Sequence, residues 1–538
     1  MRGWLPFVLL LVGCGEAIAS VDGSALDRDA GVDAGLDVGP IPGEVRPTPP
    51  PCGALVGTFP ARSTPTAAAT LPPLHVDGAH LFDDAGHEVA LRGVNLGSWL
   101  VTESWILGLG LGYDDDFLAR MGTEADARGI ADLLSAARAT NAADLVLERA
   151  PRWAIVQAWR APMWRLADPA RRDAVASFWA WFDDAPWLYE EESLWAYFDR
   201  RFGADASSAL RTELHDRWVT ELDLERIAAL GLNVVRAPIW YRQLEEDLPD
   251  GTARPRPDGW QRLDRLVEWA RTHHLYVILD LHGAPGGQSV YDHQGLRYGG
   301  ALFSEQACLD RASELLAALA SHFAGEPHVA AIDLLNEPQS PSASEWARVH
   351  DSLYRAVRGA DATRVVIAED GYGGPGRVRS PSELGWSQAM FSIHAYPSWS
   401  TPSDYGDAIA QSFETWSAVW GARFGCPMLL GELNAASGAP SGARSADEVM
   451  AMADALSRLA PRGVHWTVWT WRFQGESTWG VYHPPAGQTG FFDPTGHSLD
   501  EVRARFDAMS PDAWVPVEGY PAALAASAAL PVVPTTLP

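Results

Sequence analysis

The sequence predicts an α/β protein, a (β/α)8 TIM barrel with a long helical insertion after its first strand. Three observations predict it. From residue 89 onward, short β-branched or apolar runs alternate with longer amphipathic stretches, the pattern of strands and helices around a parallel sheet. Eight such runs can be counted, and six end in polar or aromatic residues that a purely structural strand would not select. A chain of 538 residues accommodates one large barrel, since such barrels run to about 250 residues and more as one unit.

Taken in order, the first run is Val89 to Leu96. The second, Leu232 to Pro238, carries Arg236, and the third, Leu275 to Leu281, leads into His282. The fourth, Val329 to Leu335, delivers Asn336 and Glu337. The fifth, Arg364 to Ala368, ends at Glu369 and Asp370, read as a solvated acidic pair. The sixth, Ala389 to Ile393, leads to His394 and Tyr396, the seventh, Pro427 to Leu430, to Glu432, and the eighth, Gly463 to Thr470, to Trp471. In a barrel of this kind the strand ends face one mouth, where chemistry gathers. His465, before the core of the last strand, reads as structural, while His293 and His483 fall in loops near the expected pocket with no assigned role.

The flanks read differently. Met1 to Gly13 hold one Arg and then the apolar run Trp4 to Val12, too short for a membrane span and typical of a signal peptide. Leu11-Val12-Gly13-Cys14 resembles the bacterial lipobox, which makes Cys14 the expected lipidation site and residues 1–14 the leader. The expected location is therefore extracytoplasmic, anchored to a bacterial membrane by lipid alone. Residues 15–70, with Asp-Ala-Gly units and then Pro-rich sequence, bury too little apolar surface to repay their ordering and read as a disordered tether. The barrel is expected over 71–515 with the insertion at about 112–192, and residues 516–538 as a loose tail. If Cys14 is lipidated, Cys52, Cys308 and Cys426 remain, and which two pair is left open.

Charge narrows the ligand. With 41 Lys and Arg against 69 Asp and Glu, the net charge of −28 repels phosphate backbones, so nucleic acid is excluded as a partner and a neutral substrate suits better. The 24 Trp supply flat faces of the kind that grip sugar rings. No Cys-x-x-Cys spacing suggests zinc and no nucleotide-binding Gly pattern follows a strand, so no metal or cofactor is expected; the chain is expected to be a monomer.

Carboxylates after the fourth and seventh strands stand on opposite sides of the mouth. Glycosidic cleavage needs that arrangement: one carboxylic acid protonates the leaving oxygen while a carboxylate acts on the other face of the sugar. Glu432 is expected to stay ionised through Arg236 and the Tyr396 hydroxyl, Glu337 to hold its proton longer, and Asn336 to bind the 2-hydroxyl.

These residues resemble glycoside hydrolase family 5. Asn336-Glu337-Pro338 is similar to the family's acid/base motif and Gly431-Glu432 to its nucleophile motif, with Arg236, His282, His394, Tyr396 and Trp471 at the other matching positions. Arg92 to Val101 followed by Glu103, and Leu279 to Gln288 with Asp292, resemble the exo-β-1,3-glucanase group. The resemblance implies catalysis by Glu337 and Glu432, hydroxyl binding by Glu103 and Asp292, aromatic walls from Tyr291, Trp471 and Trp479, and release from a chain end. An endo-acting β-glucanase or β-mannanase shares the same catalytic set, and a non-catalytic glycan-binding lipoprotein is the alternative of another class. The insertion, with Trp153, Trp159, Trp164, Trp179, Trp181 and Trp187, is read as a small helical subdomain with its own Trp core, against the alternative of a lid.

Overall fold

A computed structural model describes residues 52–109, 115–141, 159–184, 190–289, 291–296, 299–369, 371, 378–397, 399–436, 445–474, 478–485, 488, 492, 494 and 497–531. The expected signal peptide, Cys14, the tether up to residue 51, Trp153, Trp187, Asp370 and residues 532–538 lie outside them.

Eight parallel strands close into a barrel: Arg92–Asn95, Val234–Trp240, Tyr276–Gly283, Val329–Asp333, Val365–Glu369, Ala389–Ala395, Met428–Leu433 and His465–Val468. They are the eight runs of the sequence, with ends shifted by a few residues. Closure comes from the pairing of Trp466 with Arg92 and of Asn95 with Arg236. Backbones approach so closely there that a Cβ on Gly93 would stand 1.8 Å from the Val234 carbonyl oxygen, so only glycine fits.

Amphipathic helices cover the strands. Pro257–His273, for example, starts with proline in its first turn and ends at His274 in the left-handed conformation, burying Trp260, Leu263, Leu266, Val267 and Ala270 on one face. The N-terminal end of the strands carries Val234, Tyr276, Ile278, Ala331, Val365, Ile367, Met390 and Leu429, in one apolar cluster with Leu74 and Leu81 of the hairpin Leu74–Asp77/His80–Asp83.

Two flanking segments differ from expectation. Residues 52–70 are fastened to the barrel rather than belonging to a solvated tether. Cys52 is disulfide-bonded to Cys308, Arg62 pairs with Glu326, the Ser63 amide donates to Asp264 at 2.9 Å and the Thr70 amide to His328 Nε2 at 2.9 Å. The stretch lacks large apolar residues, so composition hides an attachment made by polar contacts and one covalent bond. Likewise Tyr520–Ala528, within the expected loose tail, is a helix with Tyr520 and Leu524 buried, and Arg92 donates to the Ala528 carbonyl at 2.9 Å. Its Ala-rich composition is that of a good helix former. Cys426 is free and buried.

Residues 115–141 and 159–184 fall in a separate compact unit. Its described helices are Asp115–Ala127, Ala131–Asn141, Ala161–Leu166 and Arg172–Asp184. Trp159, Trp164 and Trp179 are buried, and Phe178 and Phe182 meet Trp179 edge-on at 5.3 and 5.0 Å. No described helix of the chain is long and apolar enough to cross a membrane.

Candidate active site

The C-terminal end of the barrel strands is organised by one guanidinium. Arg236, on the second strand, has no exposed surface, and a buried cation is tolerated only when compensated and hydrogen-bonded. It donates to Glu432 Oε1 at 2.9 Å, Asn336 Oδ1 at 2.8 Å, Asn95 Oδ1 at 3.1 Å and Glu369 Oε1 at 3.0 Å, and stands 3.1 Å from Asp280 and 3.0 Å from Asp333. Five other strands of the barrel, the first, third, fourth, fifth and seventh, are thereby registered against one side chain.

Glu337 and Glu432 face each other across His394. An oxygen of each carboxylate and a nitrogen of that imidazole lie within 4.8 Å of one another. His394 Nδ1 is 2.7 Å from Glu337 Oε1 and 3.5 Å from Glu432 Oε2, and Nε2 is 3.1 Å from Glu369. Burial works against a charge on this ring, but the carboxylates of Glu369 and Glu432 outweigh it and hold His394 protonated well beyond the usual range. Tyr396 donates its hydroxyl to Glu432 Oε2 at 2.6 Å. Burial lifts the Glu432 carboxyl above the ordinary value; His394 and Arg236 oppose the lift and Glu337 adds to it. The expected ionisation of Glu432 by Arg236 and Tyr396 thus has burial as a competitor and His394 as an added ally.

Local backbone makes this convergence possible. Glu337 takes a left-handed conformation, φ 40°, uncommon for a side chain with a Cβ and held by its amide donating to Glu369 Oε2 at 2.7 Å. Gly431, next to Glu432, lies where a Cβ would meet Ser392 Oγ at 2.4 Å and His394 Nε2 at 3.0 Å. A larger residue there would displace the imidazole.

Around this centre stands a partly accessible rim. Glu103 is buried, accepts from Trp105 Nε1 at 2.9 Å through Oε2, and its Oε1 has no hydrogen-bond partner. Trp105 meets Trp479 edge-on at 5.1 Å, and Trp479 lies 5.9 Å from the Tyr396 ring. Burial and Asp292 push the Glu103 carboxyl well up, while burial, with Glu190 and Glu337 nearby, pushes Asp292 up to about 7. Tyr291 and His293 lie with rings 6.2 Å apart, and His293 Nδ1 is 3.6 Å from Glu337 Oε2. His282 donates or accepts at Asp280 through Nδ1 at 2.7 Å and sits 3.4 Å from the Asn336 amide through Nε2. Of the residues singled out in the sequence, Glu103, Arg236, His282, Tyr291, Asp292, Asn336, Glu337, His394, Tyr396, Glu432 and Trp479 are brought together.

Trp471 is not brought into this group. The eighth strand ends at Val468, and the Trp471 indole is buried, donating to Asp223 at 2.9 Å with its ring 4.9 Å from Tyr482. The aromatic residue that reaches the centre is Trp469, immediately after this strand, stacked on His282 at 5.6 Å with the planes 10° apart. Two Trp two positions apart look alike in sequence; a buried acceptor for one indole separates them. Glu369 is likewise not a solvated acid. It is 2% exposed and, despite burial, held down to about 2 by His394, Arg236 and the Glu337 amide. Asp280 and Asp333 read in the sequence as ordinary interior strand positions until Arg236 is seen beside them, whereas His293, expected in a loop near the pocket but without a role, stands beside Glu337.

The profile described as cellulase (glycosyl hydrolase family 5) matches residues 205–475, half of the chain. Endoglucanase C of Acetivibrio thermocellus is 29% identical over 185 residues, covering 34% of this chain and 52% of that protein. A probable glucan 1,3-beta-glucosidase A of Neosartorya fischeri is 34% identical over 175 residues, 32% of this chain and 41% of that one. The chain thus spans about half the length of the curated relatives it matches, or less. Among solved structures, rutinosidase from Aspergillus niger superposes with a TM-score of 0.47 at 15% identity, covering 78% of this chain and 98% of that one. With its profile spanning seven of the eight strands and both facing glutamates, the chain belongs to glycosyl hydrolase family 5.

Proposed function

We propose that this protein is a retaining β-glycosidase that hydrolyses β-linked glucosides, acting from the chain end on β-1,3-glucan. The observation that carries the reading is the approach of Glu337 and Glu432 oxygens to within 4.8 Å of each other across His394. Retaining enzymes hold their carboxyl groups about 5–5.5 Å apart, whereas inverting ones need about 6.5–9.5 Å to admit water.

In this reading Glu432, oriented by Arg236 and Tyr396, attacks the anomeric carbon while Glu337 gives its proton to the departing glycosidic oxygen. A covalent glycosyl–Glu432 ester forms. Glu337, now a carboxylate beside the His394 cation, takes a proton from water, which attacks the same carbon and frees Glu432. Glu103 and Asp292 would accept hydroxyls of the terminal sugar, with Trp105, Tyr291 and Trp479 against its faces. The name carried by the Neosartorya fischeri relative supports a 1,3 linkage. The reading also includes export and lipid attachment through Cys14, for which loss of membrane association in C14S is the test.

Laminarin hydrolysis followed by proton NMR tests the reaction. Glucose is expected as the first product, released as the β-anomer; immediate α-anomer would overturn retention, and mixed oligosaccharides would indicate internal cleavage. Glu432→Ala should lose on the order of 10⁴-fold or more in kcat, the scale on which nucleophile removal acts. Azide should restore part of that activity with an activated aryl glucoside.

A further inference from the structure

We propose that Glu369 is a positioning residue for the reaction, a single buried carboxylate to which the backbone of Glu337, the imidazole of His394 and the guanidinium of Arg236 are all fastened. The inference rests on the reading of Glu337 and Glu432 as the reacting pair and extends it to a residue that touches neither the sugar nor the reacting atoms.

Three contacts carry it. Glu369 Oε2 accepts the Glu337 amide at 2.7 Å, and that amide belongs to the residue with φ 40°. The acceptor holds the left-handed turn that aims the Glu337 side chain across the barrel, a conformation that persists only where its surroundings fix it. Glu369 Oε1 takes Arg236 at 3.0 Å and lies 3.1 Å from His394 Nε2. Those two cations are the ones that meet Glu432, at 2.9 Å from Arg236 and 3.5 Å from His394. Each glutamate of the pair is therefore referred to the same carboxylate, one through its backbone and the other through its cationic partners. Glu369 is itself fixed by its strand and by its carbonyl, which accepts the Trp346 indole at 2.8 Å.

The charges around it are consistent with a permanent anion. Facing Glu369 are Arg236 from the second strand, Asp280 from the third, Asp333 from the fourth, Glu337 beyond it, His394 from the sixth, and His350 from helix Ala343–Ala360; Glu432, His282 and His293 complete the surroundings of His394. Two cations, Arg236 and His394, cannot neutralise every carboxyl in this dry volume, so some must stay protonated. Burial and Glu369 push Asp333 well up, and burial pushes Asp280 up to about 7, while Glu369 alone is held low. Asp333 Oδ1 has no hydrogen-bond partner, and burial together with the neighbouring Glu369 charge favours the neutral carboxylic acid there.

The test compares wild type, Glu369→Gln and Glu369→Asp in the full-length protein. The first readout is the titration of His394 by NMR of ¹⁵N-histidine-labelled protein, which needs no substrate. Glu369→Gln removes the charge and should lower the His394 midpoint by more than about one pH unit. Glu369→Asp keeps the charge but withdraws it by one methylene and should leave His394 protonated. The second readout is hydrolysis of 4-nitrophenyl β-glucoside: both variants should lose about 100-fold in kcat, the scale of a small misplacement of reacting groups, with KM within about threefold. A residue that merely supports the fold would lower the melting temperature without moving the His394 midpoint or dividing kcat from KM. An unchanged His394 titration in Glu369→Gln, or wild-type kcat in Glu369→Asp, overturns the inference. If wild type cleaves no β-glycoside, the proposed function fails on its own, and the NMR comparison still decides whether Glu369 fixes the state of His394.

Discussion

The two ends of the barrel interior are made by the same strands and obey opposite rules. Because residues two apart on a strand share a face, the lining changes in a single step: Val234 to Arg236, Ile278 to Asp280, Ala331 to Asp333, Ile367 to Glu369 and Met390 to Ser392. Below the step, apolar side chains pack against a hairpin and gain from leaving water. Above it, one guanidinium and one imidazolium face five carboxyl groups, an arrangement that burial makes costly. The difference teaches where each job is done. The lower layer holds the barrel closed, and the upper layer can then be kept in a charge state and a backbone strain that would not persist alone.

The comparison is broken most forcefully at Arg236. Arg236→Met leaves the carboxyl groups without their common counter-charge and should cost about 3–5 kcal/mol of stability, as removing one partner of a buried ion pair does. It should also cost at least 10²-fold in kcat, as loss of an aimed charged donor does. One layer below, Ile278→Ala should cost about 2–5 kcal/mol through its cavity while kcat stays within a few-fold. Denaturant unfolding and steady-state kinetics on the pair check this; an Ile278→Ala enzyme as inactive as Arg236→Met would show that the layers are not separable.

Acidity separates the ends more finely. Asp280 above the step is raised by burial, against Arg236, to about 7, so between about pH 4 and 7 the folded protein keeps a proton the unfolded chain has released; stability contributed by this group falls as pH rises. His465 below it is lowered by burial from 6.5 to about 4, so between pH 6.5 and 4 the unfolded chain takes up a proton the folded one refuses, and stability falls as pH drops. Asp280→Asn should therefore make stability rise more steeply from pH 4 to 7, and His465→Gln should make it rise less, by about 1–3 kcal/mol each across the window. Urea titrations at intervals of half a pH unit would show it, and identical slopes in all three proteins would contradict the assignment.

How far each end could be read from the sequence follows from the same physics. Strands announce themselves by local composition, so all eight were legible, as were Asn336-Glu337 and Gly431-Glu432, whose neighbours in the chain carry the motif. Glu369 was read as solvated because what buries it, Arg236, His394 and the Glu337 amide, comes from 133, 25 and 32 positions away. Asp280 and Asp333 sit inside apolar runs for the same reason. The attachment of residues 52–70 was hidden because a disulfide between Cys52 and Cys308, 256 positions apart, leaves no local trace.

The smallest effect concerns the eighth strand, where sequence and structure choose different tryptophans. Trp471→Phe removes an indole N–H from Asp223 Oδ1, but that oxygen keeps Arg472 Nε at 3.0 Å, so the loss should be about 1 kcal/mol with kcat/KM within a few-fold. Trp469→Phe keeps an aromatic ring yet shrinks the face stacked on His282, whose Nε2 meets the Asn336 amide, and should lower kcat/KM by about tenfold, the lower end of what lost contact area costs in discrimination. Kinetics on 4-nitrophenyl β-glucoside with both variants decides between them. Should Trp471→Phe be the more damaging, the wall of the site would reach past the end of the strand, and the charged layer would extend further from the barrel axis than Arg236 and its partners define.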